Sequence, residues 1–369
     1  MLEHEIVAEL LAELTQYPEL RSAVHEIQAH PRVTDGYLKA FSYLKHIGHG
    51  ELALRTLHVT IMVNPGHAAA HTHLGCFHLG ETFPHRTARV QSRIDGPLLH
   101  FPSLGIDGRF GNQIFQYAFL RLAAKAQGLT AATPDWVGRY LFQCDEPTIS
   151  GYLPFVKDEE IDVPAALAGV SSRQRRSLLG QASIHGYFAD HTRDYSPYRA
   201  AFQSIFDPAP WIQPYADGLV QRLRAKGSTV IAIHIRRGDM VTHPEFWIAP
   251  VSWYVEWLRS TWGTVPAPVL YVSTDDLSVL DDFAEFRPVS SGDLTDPFVG
   301  AEYYPDWYIL TQADMVAISN STFSFTASLL NTASRHFVRP SRHFQMLVPY
   351  EPWNSPPLIE RDLARTDGA

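Results

Sequence analysis

The sequence predicts an α/β protein, with a doubly wound parallel sheet in its last third and an all-α region at its start. Three observations carry this. From about residue 97, short β-type runs alternate with helical runs, the arrangement that builds βαβ units. In the last third, "STVIAIHI", "PVSWYVEWLRSTW", "PVLYVSTDD", "WYILTQAD", "MVAISNS", "TFSFTASLLN" and "RHFVRP" follow one another as strand and helix in turn. Residues 226 to 345 therefore read as one parallel sheet covered on both faces. Residues 4 to about 90 instead carry apolar side chains three and four apart with no period-2 run, which is a helical pattern.

The elements divide into three regions. At 369 residues the chain exceeds the usual size of a single core, so more than one domain is expected. Residues 1–95 form the helical region, and its opening "MLEHEIVAELLAELTQY" reads as an amphipathic helix rather than a signal peptide. Within it, Ala53 and Pro65, followed by Leu74 and Gly75, stand where a helical repeat of about 34 residues places its small, turn and close-packing side chains. This gives a TPR-like reading and a candidate surface for a protein partner. The polar, Pro-bounded "FPHRTARVQSRIDGP" marks the boundary. Residues 96–225 are a first α/β domain, and residues 226–369 a second, Rossmann-like one with a C-terminal tail.

Composition excludes several classes of function. Hydrophobic residues make up 45%, charged residues 19%, and the net charge is -9. Such a chain folds, but has no global field for nucleic acid or acidic membranes. Any anionic ligand must be held locally. Two cysteines, Cys76 and Cys144, are too few for a disulfide framework or a thiolate zinc site and read as buried apolar filler. No run of about 18 apolar residues predicts a membrane span, and a cytoplasmic location is expected.

Four polar clusters fall at the predicted strand ends, where doubly wound sheets bind ligands. In "VIAIHIRRGDM" the strand passes directly into His234, Arg236, Arg237 and Asp239. Paired guanidiniums can fork onto phosphate oxygens without losing charge. In "DGRFGNQIFQYAF", Gly108 and Gly111 let a loop approach a ligand, Asn112 and Gln113 offer amide donors, and the helix that follows favours an anion at its start. In "ISNSTFSFTASLL", Asn320, Ser321, Thr322 and Ser324 crowd another helix start. In "YVSTDD", Asp275 and Asp276 serve as metal ligands or as acceptors for a base or ribose, and no third metal ligand accompanies them.

Together these segments resemble the GDP-fucose-dependent α1,2-fucosyltransferases, glycosyltransferase family 11. The resemblance rests on "GNQIFQYA", on Gly186, Tyr187 and Phe188 as "GYF", on "HIRRGD", on "STDD" and on "NSTFS", in that order across residues 105 to about 335. "DGRF" departs from the family's usual double glycine and is similar to the protein O-fucosyltransferases. Residues 1–95 lie outside the resemblance.

The resemblance implies a GT-B type fold of two facing Rossmann-like halves, a glycan acceptor, GDP-fucose as donor, and no metal or other cofactor. By motif, Arg236 would clamp the β-phosphate, with Arg237 beside it. His234 and Asp275 would contact the nucleotide, Ser321, Thr322 and Phe323 would line the diphosphate and fucose, and Gly111 and Asn112 would reach the donor from the opposing half. The hydroxyl proton would pass to Asp239, with His243 and Glu245 as alternatives. The competing expectations are peptide O-fucosylation and a non-catalytic nucleotide-sugar-binding adaptor.

Overall fold

The computed structural model describes residues 3–86, 96–149, 151, 153–241 and 247–359. Helices α1 (Glu3–Leu14), α2 (Arg21–Ala29), α3 (Asp35–His46), α4 (Gly50–Val63) and α5 (Ala68–Thr82) form the N-terminal region. Leu10, Leu14, Ile27, Tyr37, Leu44, Ala53 and Leu57 fill its own core. Ala53 is fully buried in α4, and Pro65 stands in the turn before α5. Gly75 does something different from the close packing expected within a repeat. A Cβ there would lie 2.5 Å from the carbonyl oxygen of Gly300 and 2.9 Å from Val137, so α5 presses its backbone onto the α/β body. Cys76 and Leu79, from the same helix, belong to the main core.

The first α/β region contains β1 (Leu98–His100), α6 (Phe110–Gln127), β2 (Thr130–Ala132), the single turn α7 (Gly138–Leu141), β3 (Phe155–Lys157), α8 (Val163–Ala168), β4 (Ala182–His185), α9 (Arg199–Ile205) and α10 (Gln213–Arg224). Its sheet runs β2-β1-β4-β3, and all three pairings are parallel. The second region contains β5 (Thr229–Ile235), α11 (Val251–Thr261), β6 (Pro268–Thr274), α12 (Tyr304–Gln312), β7 (Met315–Ala317), α13 (Thr322–Leu330), β8 (His336–Ser341) and β9 (Met346–Pro349). Its order is β6-β5-β7-β8-β9, parallel except for the β8–β9 hairpin.

In both sheets the order reverses beside the first strand, between β1 and β4 and between β5 and β7. A crevice opens at the carboxyl ends of such a pair. Alternation decides which side chains look where. Val230 and Ala232 of β5 join the main core, while Ile231, Ile233 and Ile235 join the core on the opposite face. His234 shares the parity of Val230 and Ala232 and so lies on the main-core face of the sheet, against the start of α13.

The main core is continuous across the two regions, with Leu99 and Ile184 of the first sheet and Val316 and Tyr271 of the second in one cluster. Aromatic rings knit them. Phe110 of α6 lies 4.8 Å from Tyr303 and 5.2 Å from Trp307 between ring centroids. Burial of this kind contributes about 25 cal/mol per Å² of apolar surface removed from water. Cys76 and Cys144 are buried free thiols, as read from the sequence, and burial pushes the Cys144 thiol up to about 12.

Candidate active site

The arginine turn begins where β5 leaves its sheet. His234 is 4% exposed, and its Nδ1 lies 2.8 Å from Ser319 Oγ and 2.9 Å from Ser324 Oγ. These bonds cross the switch point, joining β5 to the segment after β7 and to the first turn of α13. Burial, with Arg236 nearby, pushes the ring down to about 3, so His234 is a neutral imidazole at physiological pH. Its ring lies 5.1 Å from that of Phe323.

Arg236 follows, with Nη1 2.5 Å from Asp275 Oδ2. The second oxygen, Oδ1, accepts the backbone N–H of Arg237 at 2.7 Å. Asp275, read from the sequence as a nucleotide acceptor, thus sits with both oxygens against the arginine turn and fixes its aim. Asp276 plays a separate part: its Oδ1 accepts from the backbone N–H of Ser278 at 3.1 Å and from its hydroxyl at 2.6 Å, capping the 3₁₀ segment that follows. The side chain of Asp239 and the whole of His243 and Glu245 lie outside the described residues. Among the described residues no group of three His, Cys, Asp or Glu side chains could hold a metal ion.

Across from the turn, Ser321 caps α13, its Oγ accepting from the Phe323 N–H at 3.3 Å. Ser321 is 6% exposed, whereas Thr322 and Phe323 are half-buried. The unpaired N–H groups of such a helix start attract an anion. Asn320 does not join them: its amide donates to the Ile359 carbonyl at 3.0 Å and accepts the Ile359 N–H at 2.7 Å, holding the C-terminal segment.

Gly111 lies in the first turn of α6 rather than in an open loop. A Cβ there would lie 2.4 Å from both the nitrogen of Phe323 and the carbonyl carbon of Thr322, so the backbone approach that needs glycine is to α13. The starts of α6 and α13 each follow a strand's carboxyl end, and they meet at this contact. Asn112, half-buried one residue on, stands at that junction.

Two neighbours in the same motif are structural supports. Gln113 donates to Thr72 Oγ1 of α5 at 3.3 Å and to the Gly108 carbonyl at 3.2 Å. Gln116 donates to the carbonyls of Asp107 and Gly186 at 3.0 and 3.1 Å, tying the "DGRF" and "GYF" segments together. Sequence reasoning missed Gln116 and Ser319. The signal for Gln116 was its spacing: four residues after Asn112 puts both on one helix face.

Fold and site define a two-sheet α/β protein with an arginine turn at the carboxyl end of β5 and a close contact between the starts of α6 and α13. No protein-family model matches the chain. Its curated relatives are galactoside α1,2-fucosyltransferases. Galactoside alpha-(1,2)-fucosyltransferase 2 of Bos taurus is 29% identical over 240 residues, 60% of this chain and 67% of that one. Galactoside 2-alpha-L-fucosyltransferase SEC1 of the same species is 26% identical over 276 residues, 67% of this chain and 72% of its own. Among solved structures, the fucosyltransferase NodZ from Bradyrhizobium is similar at 13% identity and a TM-score of 0.47, over 70% of this chain and 100% of that one.

Proposed function

We propose that this chain is an inverting fucosyltransferase of GT-B type, moving L-fucose from GDP-fucose to the 2-OH of a terminal β-galactoside. The observation that carries the reading is the arginine turn. It emerges at the switch point of the second sheet, is held by Asp275, and follows His234, which bonds to Ser319 and to Ser324 at the start of α13. Sequence similarity to galactoside α1,2-fucosyltransferases supports the same reading.

In a single displacement the acceptor hydroxyl attacks the anomeric carbon as GDP departs, through an oxocarbenium-like state akin to that of glycoside hydrolysis. Charge builds on the β-phosphate. Arg236, aimed in advance, meets that charge without reorganisation, which is worth about 3 kcal/mol for a single well-placed donor. The neutral His234 adds no competing charge, and Asn112 approaches the donor from the opposing half. Residues 1–95 serve in this reading as a TPR-like module for a protein partner, a reading supported by the packing of consecutive helices α1 to α5.

A donor screen with lactose as acceptor tests the proposal. GDP release from GDP-fucose, with GDP-mannose and UDP-sugars inert, is the expected result. Turnover of a UDP-sugar in place of GDP-fucose would overturn it.

A further inference from the structure

The first sheet has its own switch point, and a second polar cluster stands there. His185 is the last residue of β4, and Ser103 and Asp107 lie in the segment that leaves β1. His185 Nδ1 is 3.1 Å from Asp107 Oδ2 and 3.0 Å from Ser103 Oγ. A proton on Nδ1 satisfies both oxygens, whereas a bare Nδ1 lone pair would oppose the carboxylate. That tautomer leaves the Nε2 lone pair available, and the imidazole is partly open, its side chain 38% exposed.

Position connects the cluster to the arginine turn. Gly111 touches the start of α13, and the Asn112 amide lies where a Cβ of Gly108 would sit. Asp107 precedes Gly108, and Gln116 clamps the carbonyls of Asp107 and Gly186 together. The surroundings suit a sugar. Phe155, 56% exposed, lies 5.4 Å from the His185 ring between centroids, and Tyr187 is 49% exposed. Exposed aromatic faces beside a few convergent polar groups make a ligand-binding wall.

The geometry points to His185 as the general base of the transfer reaction, oriented by Asp107, with the acceptor pyranoside held against Phe155 and Tyr187. This assignment rests on the fucosyltransferase reading above. As the acceptor oxygen bonds to the anomeric carbon, His185 Nε2 takes its proton. The bond from that carbon to the β-phosphate oxygen breaks, and its electron pair leaves on GDP toward Arg236. The imidazolium is stabilised by Asp107 and later returns the proton to water.

Other ionisable groups face the cluster. Lys157 of β3 is paired in register with His185. Asp158 Oδ2 accepts the Tyr187 N–H at 2.8 Å, and the Tyr187 hydroxyl is pushed up by burial and by Asp107 and Asp158. His100 of β1, whose two ring nitrogens are buried without a partner, is in register with Ser183 and shares its face with His185. Burial pushes the His100 ring down, which favours its neutral form.

The test is kinetic, with GDP-fucose and lactose, on the whole chain. His185→Gln should lower kcat by about 10²- to 10³-fold, abolish the acidic limb of its pH profile, and leave GDP affinity by calorimetry within twofold. Asp107→Asn should lower kcat comparably, because the wrong tautomer is then tolerated. Imidazole added to His185→Ala should restore part of the rate. A His185→Gln enzyme within threefold of wild type, or one that loses GDP affinity in step with kcat, would overturn the assignment while leaving the fucosyltransferase reading intact. A wild-type chain that moves no fucose to a galactoside would overturn both.

Discussion

Arg236 Nη1 and Asp275 Oδ2 stand 2.5 Å apart, and the same carboxylate fixes the backbone of Arg237. The guanidinium is therefore aimed before any donor arrives. Asp275→Asn keeps the shape but loses the charge, so the turn should drift. Steady-state kinetics with GDP-fucose should show kcat/KM lower by about 10²-fold, the loss expected of a small misplacement, with the circular dichroism spectrum unchanged. Activity within threefold of wild type would make the brace dispensable.

Arg236→Ala should lower kcat by two to three orders of magnitude, in line with roughly 3 to 4 kcal/mol for one preorganised donor. Arg236→Lys should recover little of this, since an ammonium cannot form a planar fork. The check is single-turnover fucose transfer, read beside a melting curve for each variant.

Gly111→Ala inserts a methyl where Thr322 and Phe323 backbone atoms already lie within 2.4 Å. Overpacking against backbone costs about 1–3 kcal/mol. Denaturant titration should show that loss, together with reduced turnover, because the displaced pair is the junction between the two crevices.

Acid should destabilise the fold through His234. Its folded value of about 3 lies below the ordinary 6.5, so between these limits the unfolded chain binds the extra proton. Stability is complete above about pH 6.5 and falls as pH drops toward 3, by up to about 1.4 kcal/mol per unit. Asp306 acts in the opposite sense. Burial raises it from 3.8 to about 6 despite its hydrogen bonds from Tyr271 and Ser273, so the folded state takes the proton first and gains stability as pH falls from 6 toward 4. Melting temperatures measured from pH 7.5 to 4.5 should decline in wild type and decline less steeply in His234→Asn. Equal slopes would remove His234 from the acid response.

The second sheet was legible in the sequence because its strands β5 and β6 are long and buried on both faces, and because each ends in a polar cluster. The first sheet was not resolved strand by strand. Its strands β1, β2 and β3 hold only three residues each, too few to show a period. Prediction also carried the strand "MVAISNS" through Ser319, whereas β7 closes at Ala317 and Ser319 turns its hydroxyl to His234. Local motifs named Arg236, His234 and Ser321, but not their partners. The contacts of Asp275 with the arginine turn, and of His185 with Ser103, span 38 and 82 residues, and no local pattern encodes a contact at that range.

The shared core has a mechanical consequence. Phe110 against Tyr303 and Trp307, and Phe115 against Phe325 at 6.4 Å, weld the two α/β lobes together. A clamshell swing would pull those rings apart and flood them with water. The lobes therefore behave as one stiff frame.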